Sequence, residues 1–289
     1  MKLLKSFCLV FLVITNIYAS NESIKTGLLY DRIFTTKKEA IIGSKLWLKQ
    51  MEDSKYKNKM DISFYDDPKK MIKDFKDKKI EVMVCDAISY FEDKDLINSL
   101  SSKAWILSRI DSMFEQYYLV KNRKSKLTLK NLSPKNIYYK SDLSKIWLDT
   151  ILHRDSIKLK NSSFIKLEKP KKMIFNIFFN DVDIAIIPKD LYDSMLDLNP
   201  QVAKKLEIIK KSKDIFFTGI GFTRKNINPE FNETLEVITS DVNDIKRDME
   251  SISFINIQHV YPVAQSELSE LDKLYKEYKN FKKRKMLKK

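Results

Sequence analysis

Polar side chains able to hold a ligand recur at one kind of place in this sequence, directly after a short apolar run. Leu28-Leu29 leads into Tyr30 and Asp31, and Val82 to Cys85 leads into Asp86, Ser89 and Tyr90. Ile137-Tyr138-Tyr139 leads into Lys140, Ser141 and Ser144, and Ile184 to Ile187 leads into Pro188, Lys189 and Asp190. Thr218 stands within the strand-like segment 215–222. If the runs are strands and the polar turns open helices, free N–H groups and a partial positive charge gather at these points. The chemistry offered is recognition by hydroxyl, carboxyl and ammonium groups. Each of these residues also has an ordinary use as a cap, a turn or a surface position. Tyr138, Tyr139, Trp147 and Phe217 read as core aromatics before cleft ones.

Bond-breaking chemistry finds no matching pattern. His153 and His259 lie far apart, with no Cys or His beside either at metal-ligand spacing. Gly219-x-Gly221 lacks both the third glycine and the following helix of a dinucleotide fingerprint. Four glycines in the whole chain leave little for a phosphate-cradling loop, and no Gly-x-Ser-x-Gly elbow occurs. Asp66-Asp67 ahead of Pro68 reads as a helix start, because acids suit the N-terminal dipole and proline suits the first turn. The expectation is a protein that is not an enzyme and carries no cofactor and no metal.

The elements that must position these residues repeat. Ile80-Glu81-Val82-Met83-Val84 continues through Cys85-Asp86 to Tyr90, and Val182-Asp183-Ile184-Ala185-Ile186 continues through Ile187-Pro188 to Tyr192. An amphipathic charged stretch precedes each (Lys69 to Lys78; Lys171 to Asn180), so helix, buried strand and helix start occur twice. Strands at Ile24 to Tyr30, Ile62 to Tyr65 and Val82 onward, separated by helical stretches, predict parallel crossovers. The expected fold class is α/β, with two lobes. Each lobe is a mixed, mostly parallel sheet flanked by helices, and two strand-like crossings, Tyr117 to Lys121 and Phe216 to Phe222, join them. The expected boundaries are 20–117 with 215–289 for the first lobe and 118–214 for the second. Asn228 to Leu274 reads as largely helical, with a break near Gln258 to Pro262. Two lobes that bend at linkers are suited to closing on a ligand.

Residues 1–19 read as a cleaved signal peptide. Lys2 and Lys5 precede the mostly apolar Ser6 to Tyr18, and Ala19 offers a small residue at the cleavage position. Export to the periplasm follows as an expectation, as does a monomeric state. Cys8 leaves with that segment, so Cys85 has no internal partner and reads as a small hydrophobe of its strand. The formal net charge is +15, yet the lysines are spread along helix-like faces, and export argues against nucleic acid as a partner. Only Lys279 to Lys289 is a compact basic cluster, suited to contact with a membrane surface or an acidic partner.

The order of these signals resembles the type II periplasmic solute-binding proteins of ABC transporters, in their phosphate/phosphonate-binding branch. The likeness rests on Lys78 to Val84 with Ser89-Tyr90, and on Leu119-Val120-Lys121 followed by Leu127 to Leu132. It rests also on Asp183-Ile184-Ala185 and on Leu206 to Ser212. The resemblance implies a protein that closes on a small polar or anionic ligand, phosphonate- or phosphate-like or another oxyanion, and delivers it to an inner-membrane ABC permease. The alternative is a periplasmic ligand-sensing module that signals through a membrane kinase or cyclase. The implied ligand residues are Tyr30, Asp86, Ser89, Tyr90, Lys140, Ser141, Ser144, Pro188 and Thr218. One departure bears on the ligand. Phosphonate-binding members carry a Ser/Thr/Gly-rich turn in lobe two, where this chain has Tyr139-Lys140-Ser141-Asp142-Leu143-Ser144, with no glycine and with an acid. Asp142 reads as a helix N-cap; facing a ligand, it would favour an amine or hydroxyl over a second anion.

Overall fold

A computed structural model describes residues 23–29, 37–52, 59–108, 112–132, 136–157, 159, 162–167, 170–179, 181–216, 219–244 and 259–286. The signal-peptide segment, Tyr30 and Thr218 lie outside the described residues. Among the described residues no helix is long and apolar enough to cross a membrane.

The first sheet begins with three parallel strands: β1 (Ile24–Leu29), β2 (Met60–Tyr65) and β3 (Val82–Asp86). Helix α1 (Lys37–Glu52) links β1 to β2, and α2 (Pro68–Lys76) links β2 to β3. Helix α2 starts as its sequence predicts. The Asp67 carboxyl accepts from the Lys69 N–H at 2.9 Å, and Pro68 fills the first position, where its missing N–H costs nothing. Met71, Ile72 and Phe75 form the buried face of α2. The guanidinium of Arg224 caps its last turn, reaching the Phe75 carbonyl and, at 3.2 Å, that of Lys76.

Beyond β3 the chain forms two short helices, α3 (Ala87–Glu92) and α4 (Lys94–Leu100), then β4 (Ser101–Ser108). It leaves the first sheet through β5 (Phe114–Glu115). The second sheet is built from β6 (Tyr117–Asn122), β7 (Asn136–Tyr139), β8 (Ser163–Lys166), β9 (Ile184–Pro188) and β10 (Leu206–Lys211). Helix α5 (Asp142–Arg154) connects β7 to β8 and α6 (Pro170–Phe178) connects β8 to β9. Helices α7 (Lys189–Leu198) and α8 (Pro200–Lys205) connect β9 to β10. The chain returns through β11 (Ile215–Phe216) to β12 (Gly219–Arg224), α9 (Pro229–Asp244), β13 (His259–Val263) and α10 (Ser269–Met286).

The strand orders are β2-β1-β3-β12-β4-β13 and β8-β7-β9-β6-β10. Position for position the first five strands of the one match the five of the other. The repeated sequences fall on β3 and β9, the third strand of each. In both sheets the fourth strand is antiparallel to its neighbours, and in both it is supplied by chain arriving from the other sheet. Four of six strands point one way in the first sheet and four of five in the second. The sheets are therefore mixed and mostly co-directional, although the antiparallel fourth strand divides each.

Three features differ from the sequence-based expectation. The two crossings pair with each other earlier than expected, as β5 and β11, with Ile215 opposite Glu115 and Phe216 opposite Phe114. Strands β6 and β12 lie inside the sheets instead, and every residue of β6 is buried. The break near Gln258 is an edge strand, β13, antiparallel to β4. Helix α10 packs on α3 of the first sheet and also on α5 of the second. One apolar core runs through both lobes, from Met83, Cys85, Ile106 and Phe222 to Trp147, Ile137 and Ile186, with Tyr275 and Tyr278 of α10 in it. Cys85 is fully buried there, as its strand position predicts.

Candidate functional site

Helix α3 of the first lobe packs on helix α5 of the second, and each starts with predicted residues at the end of a strand. On the first side Asp86 ends β3 and caps α3. Its Oδ1 accepts from the N–H groups of Ile88 and Ser89 at 2.9 and 3.1 Å, and its Oδ2 accepts from the Ser89 hydroxyl at 2.5 Å. Both side chains are buried. On the second side Ser141 caps α5 and accepts from the Ser144 N–H at 3.1 Å. The Ser144 hydroxyl donates back to the Ser141 carbonyl at 2.6 Å. Lys140 is half-buried in the turn just before. The cap is thus Ser141, and Asp142 is the first helical residue, facing Lys166 at 3.4 Å on the surface. The physical reason is spacing: Ser141 lies three residues before Ser144, the reach an N-cap oxygen needs.

At the start of α5 stand Glu115 and Tyr117; the sequence placed Tyr117 at the head of a crossing and did not single out Glu115. The Tyr117 hydroxyl donates to Glu115 Oε2 at 3.0 Å and lies 3.3 Å from Ser141 Oγ. Both side chains are buried, and the Tyr117 ring sits 6.2 Å from that of Trp147. Pro188 ends β9 opposite Tyr117 in register and presents a buried apolar wall with no N–H to donate. The signal that pointed to this pair was a lone acid, Glu115, beside a tyrosine at the mouth of a buried strand. Spacing alone gives no period for it.

Tyr90 does not join the site. Its ring is fully buried, 5.1 Å from Phe222 and 5.0 Å from Phe91, and its hydroxyl donates to Asn98 Oδ1 at 3.2 Å. One residue past Ser89 on a helix turns the side chain about 100°, and here that points it into the first core. Burial raises the Tyr90 pKa, against a smaller opposing effect of the Asn98 hydrogen bond.

Helix α10 packs on both lobes, at the C-terminal ends of α3 and α5. On the first side Phe91 stacks on Tyr275 at 5.5 Å, the Tyr275 hydroxyl donates to Glu92 at 3.3 Å, and Lys94 pairs with Asp272 at 2.9 Å. On the second side Arg154 grips Glu277 with two hydrogen bonds, at 2.7 and 3.2 Å, and His153 stacks on Phe281 at 4.2 Å. Burial, with the Glu92 and Asp86 carboxyls nearby, pushes the Tyr275 hydroxyl well above its usual range. Burial also works against ionised Asp272, but the ammonium groups of Lys276 and Lys94 outweigh it and hold that carboxyl below its usual range.

The arrangement can hold a ligand between hydroxyls and acids. Both histidines are occupied elsewhere, His153 on Phe281 and His259 on Tyr261. Among the described residues no cluster of three or more His, Cys, Asp or Glu could hold a metal.

Comparison with solved structures gives the class of fold that this geometry describes. A Xanthomonas citri protein solved with bound chloride superposes with a TM-score of 0.63 at 10% identity, over 91% of this chain and 99% of that one. PhnD1 from Prochlorococcus marinus, in complex with methylphosphonate, gives 0.61 at 11% identity, over 88% and 97%. The binding-protein component of an ABC phosphonate transporter from Pseudomonas aeruginosa gives 0.58 at 13% identity, over 88% and 85%. The fold is that of the two-lobe type II periplasmic binding proteins. No family model matches the sequence, and no curated protein matches it either.

Proposed function

We propose that this chain is an exported, non-enzymatic solute-binding protein. It closes its lobes on a small polar ligand and delivers it to an ABC permease of the inner membrane. The observation that carries the reading is the pair of sheets of matching strand order, with α3 of one packed on α5 of the other and the Glu115–Tyr117–Ser141 node at the start of α5. The solved proteins of this fold named above hold chloride or methylphosphonate.

The chemistry of the described site favours a different ligand from the expected oxyanion. Asp86 already occupies the N–H groups of Ile88 and Ser89, and Ser141 occupies that of Ser144. The side chains at the node are a carboxyl and two hydroxyls: Glu115, Tyr117 and Ser141. A ligand bearing hydrogen-bond donors, an amine or a polyol, complements them, whereas an oxyanion meets buried carboxyl groups.

Thermal unfolding of the secreted chain, measured against amino acids, polyamines, polyols, phosphonates, phosphate and sulfonates, tests both statements. A true ligand at 100 times its dissociation constant adds about 2.7 kcal/mol and raises the midpoint by several degrees. A hit among the amines or polyols is the expected result. A hit among the phosphonates keeps the binding function and overturns the ligand class. A flat panel on ligand-free protein overturns the function.

A further inference from the structure

A second recess lies in the first lobe, at the end of the sheet remote from the site above. Strand β12 enters at Gly219 opposite Asp86 and leaves at Thr223 opposite Val82, so the two ends are about 13 Å apart at ~3.3 Å per residue. At the far end an open groove of about 910 Å³ runs between α9 and the β4–β13 edge. Five residues of α9 line it, from Asn232 to Ser240, at the three- and four-residue spacing of one helical face.

The groove contains a polar group that the protein leaves unused. Thr223 is 1% exposed, lines the groove, and its hydroxyl has no hydrogen-bond partner. A buried hydroxyl without a partner is costly, so its retention calls for an account. It sits at a register shift, where β12 passes from Thr223 to Arg224 against β4, and bulges of this kind re-aim side chains. Beside it the indole of Trp105 lies over Gly221. A Cβ at Gly221 would stand 2.0 Å from Trp105 Cε3 and 2.4 Å from Cζ3, so only glycine lets the ring lie on the strand. This is a use for Gly221 that no nucleotide motif explained.

Lys103 pairs with Glu236 across the groove, and Lys225 donates to the Ser99 carbonyl at 3.0 Å. Beside these charges the groove offers neutral groups: the Thr223 hydroxyl, the Asn232 amide and the face of an indole. We infer that this groove is a second binding site, separate from the interlobe site, and that it takes a neutral polyhydroxylated ligand of the saccharide class. Sugars present apolar faces to an aromatic ring and hydroxyls to amides and alcohols.

The test follows the indole N–H signals of Trp47, Trp105 and Trp147 by NMR in the purified protein, with Trp105→Phe assigning the middle one. Triacetylchitotriose and maltotriose are the neutral probes, and methylphosphonate is the anionic one. At least one saccharide should shift the Trp105 signal saturably at millimolar concentration, and methylphosphonate should leave it in place. Thr223→Val, nearly isosteric, should weaken that binding by about two- to tenfold, the worth of one hydrogen bond. Its thermal midpoint should not fall, and Thr223→Ser should restore binding. Asn232→Ala, on the half-buried face of α9, should weaken binding by a similar factor. No saturable Trp105 shift with either saccharide overturns the proposal. So does a shift produced by methylphosphonate, or unchanged affinity in both Thr223→Val and Asn232→Ala. None of these outcomes depends on what the interlobe site binds.

Discussion

Coupling between Tyr117 and Ser141 is the sharpest test of the interlobe node. Tyr117→Phe removes one hydroxyl that faces Glu115 at 3.0 Å and Ser141 at 3.3 Å, and leaves the ring against Trp147. The buried Glu115 then loses a donor, which costs about 1–2 kcal/mol, the lower part of the range for a buried polar group because Glu115 keeps other contacts. Ser141→Ala removes the cap of α5 and costs about 1 kcal/mol. The contact between the two hydroxyls is at the long end for O–H···O, so its own share is about 0.5 kcal/mol. Urea unfolding of wild type, both single variants and the double variant gives this term directly. The double variant should be less destabilised than the sum of the singles by about that amount. Strict additivity would mean that Tyr117 and Ser141 do not communicate, and the reading of a coupled node at the start of α5 would fail. With a ligand in hand, the same variants should weaken binding while Tyr117→Phe leaves the far-UV spectrum unchanged.

Three further outcomes follow from the geometry. Tyr90→Ala should cost about 3–5 kcal/mol in chemical unfolding, as a fully buried aromatic, and should spare ligand affinity in whatever fraction remains folded. Gly221→Ala should destabilise by about 1–3 kcal/mol and move the Trp105 fluorescence, since the added methyl needs the space of the indole. Asp272 has a native pKa below its unfolded value of about 3.9, so its contribution is fully present above that pH and is lost as pH falls through the native value. Asp272→Asn should therefore lower stability at pH 7 by about 1–2 kcal/mol, between the limits for exposed and buried pairs, and should flatten the acid limb of the stability curve.

Local signals settled a good deal of this protein without tertiary information. Asp67-Pro68 starts α2 because a cap and a first-turn proline act over two or three residues. The apolar runs at 82–85 and 184–187 are strands because buried central strands need continuous apolar sequence, and their echo falls on equivalent strands of two matching sheets. The two-lobe α/β class, and the place of Asp86 and Ser141 at helix starts, were legible for the same reason: helix starts follow strand ends. The tertiary structure decided what depends on partners a hundred or more residues away. Tyr90 and Ser89 are chain neighbours of similar polarity, and only the position of Phe222 makes one of them core. The reach of α10 across both lobes rests on Phe91, Lys94, His153 and Arg154, none of which marks the helix in its own sequence. Glu115 and Gly221 carry no period or cap that would single them out. Their roles come from packing against Tyr117 and Trp105, and packing is a property of the folded chain alone.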